Sequence, residues 1–248
     1  MNRLDKFSAL MYYSWQKPSR LIHYLKTGYV TGVEVLINHD LKSIYVLNPK
    51  VATTSIVEML STKPHQGGRI FHSHRKQQQA KGISYLDVKQ IKDLQKRGYF
   101  VFTFVRNPYS RAVSFFKQKY TYIEGFGFKK RAFALSRGLE HVHSFDDMIE
   151  KMVNIPDSHA DTHFMSQTAI LYGQFEGLEY DFIGKLEDFN TGFDFVKKEL
   201  KIKSEIVSKN TTENKDWARL YSKKTLNLVL ERYRSDFSTF GYLRLENL

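Results

Sequence analysis

The stretch Ser43–Leu60, SIYVLNPKVATTSIVEML, constrains the fold more than any other part of the chain. Its apolar run Ile44–Leu47 reads as a strand that stops at Asn48-Pro49, because proline has no N–H to give to a central ladder. A helical pattern follows, and Ser55 with Glu58 has the Ser-x-x-Glu spacing of a capping box. Between strand and helix lie Lys50, Val51, Ala52, Thr53 and Thr54: a fixed cation, two hydroxyls and several backbone N–H groups. A helix N-terminus favours anions through the N–H groups of its first turn and through its dipole. With Lys50 and the hydroxyls of Thr53, Thr54 and Ser55 added, the turn reads as a phosphate or sulfate cradle. An ordinary capped turn is the alternative reading of these residues alone.

Size and charge narrow the partners. The 248 residues suffice for one large α/β domain with a substantial core. A formal net charge of +12, spread along the chain, favours polyanions: nucleotides, acidic or sulfated glycans, nucleic acid or an anionic membrane surface. A basic, solvated surface would have the same composition. The chain contains no cysteine, which excludes a disulfide framework, a thiolate nucleophile and a Cys-ligated zinc site. No apolar run approaches the roughly 20 residues that span a bilayer. The N-terminal residues MNRLDKFSALMYYSWQKPSR carry charges where a signal peptide needs its apolar stretch. The expectation is a soluble, cytoplasmic protein.

Along the chain, residues 1–42 read as a basic, aromatic lead-in and residues 43–248 as one domain. Strands are expected at Ile44–Leu47, Tyr99–Val105 and Asp181–Leu186. Tyr99–Val105, YFVFTFV, is apolar on both faces, as in a buried strand of a parallel sheet. Helices are expected from the cradle to Leu60, then at Ser84–Arg97, Pro108–Tyr120, Phe145–Val153, His163–Tyr172, around Gly192–Leu200 and at Lys223–Phe237. Ser84 with Asp87 fits a helix start, and Gly98 fits a helix stop. Gly125–Gly127 reads as a flexible insertion and Ser204–Asp216 as loop. Strands alternating with helices predict an α/β fold with a mostly parallel sheet flanked by helices.

A second constellation is FTFVRNPYSRAVSFFKQKY, Phe102–Tyr120. Arg106 leaves the carboxyl end of the buried strand, where ligands of open α/β sheets bind. Ser114 follows on the next helix, so the two could hold one phosphate, and Arg111 adds positive charge. Taken alone, Arg106 is as well read as a structural partner of a carboxylate.

Together the two stretches carry a resemblance. Pro49–Ser55, PKVATTS, resembles the 5′-phosphosulfate loop of sulfotransferases, and Phe104–Ser114, FVRNPYSRAVS, resembles their 3′-phosphate motif. The chain is most similar to the carbohydrate sulfotransferases of the second sulfotransferase family. Weaker matches are Tyr180–Phe189, YDFIGKLEDF, a strand with its acidic turn, and Tyr233–Tyr242, YRSDFSTFGY, the C-terminal ending. The resemblance covers about residues 43–242 and implies a P-loop-like α/β domain. It also implies 3′-phosphoadenosine 5′-phosphosulfate as the donor co-substrate, without a metal, and an alcohol as acceptor, usually on a sugar. In that family's terms Lys50 steadies the leaving phosphate, and Val51, Ala52, Thr53, Thr54 and Ser55 hold the 5′ end. Arg106 and Ser114 hold the 3′-phosphate, and Lys209, Asn210 and Thr211 cover the nucleotide. Ala52 stands where many relatives have glycine.

A base must take the acceptor's proton, and imidazole suits that near neutral pH. Phe71-His72-Ser73-His74 resembles the His-x-His stretch of the uronosyl 2-O-sulfotransferases, which implies His74 as base and His72 as a positioning group. Two histidines in a basic surface loop are the alternative. His163 and Gln167, four apart on an expected helix, share a face and resemble an acceptor-side pair in relatives; capping or surface roles fit them equally. The absence of GxxxxGK[ST] and of an acidic Mg²⁺ partner speaks against an ATPase or kinase. Two rival functions stay open at this point: a kinase-like phosphotransferase, and a non-catalytic polyanion-binding protein on a sulfotransferase scaffold. Nucleic acid is not an expected partner, whereas peripheral contact with an anionic membrane is compatible with the charge. The sequence does not give the oligomeric state.

Overall fold

The computed structural model describes residues 25, 27–29, 32–60, 82–119, 139, 142–202 and 215–245. In chain order its elements are strands β1 (Val35–Asn38) and β2 (Ser43–Val46), helix α1 (Thr53–Leu60), strand β3 (Ile83–Ser84), helix α2 (Val88–Gln95) and strand β4 (Phe100–Val105). Helices α3 (Pro108–Lys119) and α4 (Phe145–Met152) follow, then a π-helical segment, Ala169–Gly173. Strand β5 (Phe182–Lys185) and helices α5 (Phe189–Glu199), α6 (Lys223–Arg232) and α7 (Arg234–Thr239) complete the set. Two compact units emerge. A sheet unit takes the described residues within 33–107 and 170–202, and a helical unit takes those within 108–169 and 215–245 and those before 33.

In the sheet unit the strand order is β3-β1-β2-β4-β5. β2, β4 and β5 are parallel neighbours, with Tyr45 opposite Phe102 and Val105 opposite Lys185. β1 is antiparallel to both β2 and β3, so four of the five strands run the same way. The result is the mixed α/β architecture that alternation of strands and helices implies. Val101–Val105 are all buried, as a central strand covered on both faces requires. On one face Tyr45, Phe102 and Phe104 join Ile56, Val57 and Leu60 of α1 and Phe189, Phe193 and Val196 of α5 in one apolar cluster. Burying one such side chain contributes about 1.5–3 kcal/mol relative to leaving it exposed. This aromatic layer therefore does more to hold α1 and α5 on the sheet than any single hydrogen bond at about 0.5–1.5 kcal/mol.

Several local expectations need correction. The sheet begins with β1, a strand not expected from the sequence. VLIN is too short to declare itself, and its side of the turn is fixed by Asn38. That side chain donates to the Leu60 carbonyl (2.7 Å) and accepts from the Leu41 N–H (2.8 Å), tying the β1–β2 turn to the end of α1. Ser84 does not cap a helix: it pairs with Val35 in β3. Asp87 caps α2 instead, accepting from the Gln90 N–H (2.8 Å) while the Gln90 side chain accepts from the Asp87 N–H (2.9 Å). Gly98 does stop α2. Its φ of +83°, with Gly98 N–H to Gln95 O (2.8 Å) and Tyr99 N–H to Leu94 O (3.2 Å), is a Schellman closure.

The helical unit is built on aromatic packing around Tyr109 in α3. Its buried ring stacks on Trp217 (centroids 5.8 Å apart) and meets Phe237 (4.9 Å), and the Tyr221 hydroxyl donates to the Tyr109 carbonyl (2.8 Å). The expected single helix Lys223–Phe237 is two helices. It breaks at Tyr233 (φ −111°, ψ 26°), whose hydroxyl donates to the Phe164 carbonyl at 2.7 Å. The expected insertion at Gly125–Gly127 and most of the loop Ser204–Asp216 lie outside the described residues. Among the described residues no helix is long and apolar enough to cross a membrane.

Gly184 in β5 is a packing requirement of the sheet face. A Cβ there would lie 2.6 Å from Phe104 Cδ1 and 2.9 Å from Phe182 Cε1, and the Phe104 ring is fully buried. Gly184→Ala should therefore lower the stability read from urea denaturation by about 1–3 kcal/mol, the usual range for overpacking. An unchanged midpoint would show that the aromatic layer yields more easily than its burial implies.

Candidate anion site at the carboxyl edge of the sheet

The parallel strands β2, β4 and β5 all end on the same edge, where open α/β sheets take their ligands. β2 cannot continue its ladder through Pro49. Asn48, fully buried, takes over: its side-chain amide donates to the Phe104 carbonyl at 2.9 Å. One residue earlier on β4, the Thr103 hydroxyl donates to the Val46 carbonyl at 2.8 Å. These two side-chain bonds hold the start of the next loop against β4.

That loop has an unusual backbone. Lys50 has φ +75° and Ala52 φ +57°, whereas Val51 between them is not in the positive-φ region. L-residues adopt left-handed backbone at a cost of roughly 1–2 kcal/mol each. Alternation of this kind turns successive N–H groups toward one side and makes an anion-binding concavity. The Val51 side chain is fully buried in the apolar cluster of the sheet, so it anchors the loop. The Ala52 carbonyl accepts from the N–H groups of Ser55 (3.0 Å) and Ile56 (3.2 Å), which starts α1 at Thr53. Ser55 is therefore inside the first turn and is not the cap that its spacing from Glu58 suggests. The Thr53 hydroxyl donates to the Asn48 carbonyl (2.7 Å), and the buried Tyr45 hydroxyl reaches Thr53 Oγ1 at 3.4 Å. Thr53 closes the loop with its side chain, leaving its N–H to the helix N-terminus. Thr54 is exposed; Lys50, Ala52 and Ser55 are half-buried.

Arg106 joins this loop. It is half-buried at the end of β4, and its Nη1 donates to the Lys50 carbonyl at 3.2 Å. The structure thus brings together Lys50, Val51, Ala52, Thr53, Thr54, Ser55 and Arg106 at one edge, with two cations and the start of a helix. A dianionic group suits that charge, and a guanidinium offers it paired donors.

Ser114, Arg111, His163 and Gln167, also singled out from sequence, belong to the helical unit. Ser114 is a half-buried residue of α3. Arg111, only 2% exposed, does not add charge to a surface: it donates to the carbonyls of Met165 (2.7 Å) and Thr162 (2.9 Å) and braces that turn. His163 and Gln167 do not share a helical face. Residues 162–164 form a turn, and His163 Nδ1 lies 2.5 Å from Oδ1 of the buried Asp161. Gln167 has no exposed surface, and its N–H donates to Asp236 Oδ2 at 2.9 Å. Asp236 also accepts from the N–H and hydroxyl of Thr168, both at 2.8 Å. Burial raises the Asp236 pKa, and Arg111 with these donors opposes the rise. Asp161 and Asp236 were not legible from spacing, because each acts on residues brought to it by turns. His72, His74, Lys209, Asn210 and Thr211 lie outside the described residues. Among the described residues no group of three or more His, Cys, Asp or Glu is arranged to hold a metal ion.

At the carboxyl edge of an open α/β sheet, a loop with left-handed backbone thus carries Lys50 and meets Arg106. The sequence model of the Sulfotransferase family matches residues 33–243, which includes β1, and the chain belongs to that family. It is 22% identical to carbohydrate sulfotransferase 14 of Danio rerio over 84% of its own length. It spans 62% of that relative's length. No solved structure gives a significant match.

The left-handed backbone at Ala52 can be tested directly. Ala52→Gly should raise stability by about 0.5–1 kcal/mol, the relieved strain less the entropy glycine loses on folding. Ala52→Val, β-branched at a positive φ, should lower it by about 1–2 kcal/mol. Urea midpoints that move together, or not at all, would contradict strain at this position.

Proposed function

We propose that this chain transfers a sulfuryl group from 3′-phosphoadenosine 5′-phosphosulfate to a hydroxyl, most naturally on a carbohydrate. The observation that carries the reading is the paired left-handed backbone at Lys50 and Ala52, with Arg106 bonded to the Lys50 carbonyl. Membership of the Sulfotransferase family supports it, and so does the similarity to carbohydrate sulfotransferase 14. Backbone strain of this size persists where it serves a site, and an anion is what the concavity suits.

In this reading the amides of Val51, Ala52, Thr53 and Thr54 and the Ser55 hydroxyl hold the 5′-phosphosulfate. Arg106 holds the 3′-phosphate, and Ser114 is assigned the same group by its place in the sequence motif. The acceptor oxygen attacks sulfur in line, the sulfur–oxygen bond to the 5′-phosphate breaks, and charge gathers on the departing phosphate oxygen. The Lys50 ammonium neutralises that oxygen, and His74 takes the acceptor's proton with His72 positioning the sugar. Positioning and electrostatic stabilisation then supply the rate, as in phosphoryl transfer. Lys209, Asn210 and Thr211 cover the nucleotide. His163, held by Asp161, is assigned to the acceptor by its resemblance to relatives, whereas the burial of Gln167 suits it to supporting that turn.

The test is transfer of labelled sulfate from the donor to a panel of oligosaccharides in the presence of a chelator. Wild type should turn over without added metal, and Lys50→Ala should lose about 100-fold or more in kcat, the size typical of removing one electrostatic stabiliser. Transfer of phosphate from ATP with Mg²⁺, and none of sulfate, would overturn the proposal in favour of a kinase-like reaction. Salt-sensitive glycan binding without turnover of any donor would overturn it in favour of a polyanion-binding protein.

A further inference from the structure

Glu187 is a carboxylate bonded to this edge of the sheet. It sits in the single 3₁₀ turn Leu186–Asp188 that links β5 to α5, two residues beyond Lys185, which pairs with Val105 at the end of β4. Its Oε1 accepts the backbone N–H of Asn107 at 2.8 Å. The peptide plane that carries this N–H also carries the carbonyl of Arg106, so the bond fixes the backbone on the C-terminal side of Arg106. Arg106 in turn donates to the Lys50 carbonyl, inside the left-handed loop. Glu187, Asn107, Arg106 and Lys50 thus form a chain of contacts that joins the ends of all three parallel strands.

An exposed carboxylate is an odd neighbour for a site that takes a highly charged nucleotide. Coulomb repulsion alone says that such a group weakens the binding of anions and that removing it should strengthen binding. A positioning role makes the opposite forecast, because its loss frees the Arg106 backbone and loosens the loop that Arg106 holds. We infer that Glu187 is a positioning residue of the nucleotide site, acting through the Asn107 amide to set Arg106 and, through Arg106, the Lys50 loop. The inference rests on the proposed donor site. What it adds is a negative residue that the site needs.

The experiment measures dissociation constants for 3′-phosphoadenosine 5′-phosphate in wild type, Glu187→Ala and Glu187→Gln, with thermal melts as the folding control. Glu187→Ala should bind about threefold to tenfold more weakly, although it removes a negative charge. Glu187→Gln keeps an acceptor oxygen and sheds the charge, and should bind within twofold of wild type or more tightly. In an Arg106→Lys background the Glu187→Ala loss should shrink below twofold, since two residues acting through one contact are not additive. Unchanged or tighter binding by a folded Glu187→Ala overturns the inference, as does full additivity with Arg106→Lys. Should the alanine variant not fold, a loss beyond threefold in Glu187→Gln overturns it equally, because the acceptor is then retained. No binding by folded wild type overturns the donor site itself and the inference with it. Binding by wild type with the wrong order among variants leaves the donor site standing and removes only Glu187.

Discussion

The bond from the Asn48 side chain to the Phe104 carbonyl is the constraint on which the site depends. Pro49 ends the β2 ladder, and without a substitute donor the chain after Val46 would be free to leave β4. Asn48 supplies that donor in the buried interior, where an amide left unpaired would cost about 1–3 kcal/mol. Thr53 then bonds back to the Asn48 carbonyl, so one residue fixes both the end of the strand and the beginning of α1. The left-handed backbone at Lys50 and Ala52 is over-determined by these contacts, by buried Val51 and by Arg106.

Rigidity is the physical gain. A concavity of amides binds an anion well only if its N–H groups are already aimed, since ordering them on binding subtracts from affinity. Here the ordering is done during folding by apolar burial beneath the loop, through Val51, Tyr45 and Ile56. Folding energy from the aromatic layer offsets roughly 1–2 kcal/mol of strain at each left-handed residue. The helical unit uses the same logic with polar groups. Arg111 and Asp236, both buried, brace the backbone of residues 162–168 that carries His163.

Much of this was readable from residues. YFVFTFV could only be a strand covered on both faces, and Gly98 could only help to stop a helix. The nearness of Lys50–Ser55 to Arg106 agrees with the two motifs, since both follow the carboxyl ends of parallel strands. What escaped reading was settled by tertiary contacts. Ser84 has the spacing of a cap, but pairing with β1 claims it, and Asp87 carries an equally good box with Gln90. The pattern of Lys223–Phe237 is that of one helix, yet Tyr233 is anchored to Phe164, and Asp236 turns inward to the amides of residues 167 and 168. Arg111 reads as added positive charge because nothing in the sequence reveals that two carbonyls lie in reach. His163 and Gln167 show the helical spacing without the helix. Positive φ at Lys50 and Ala52 was the least legible feature, because neither residue is glycine.

The proposed function requires the left-handed loop and Arg106 to form a metal-independent site for the nucleotide of a sulfate donor. Calorimetric titration with 3′-phosphoadenosine 5′-phosphate, in chelator, compares wild type with Arg106→Ala. Wild type should show saturable one-to-one binding, and the variant, with its fold intact, a loss of 30-fold or more, about 2 kcal/mol. Equal affinity in both proteins, or no binding by folded wild type, would contradict it.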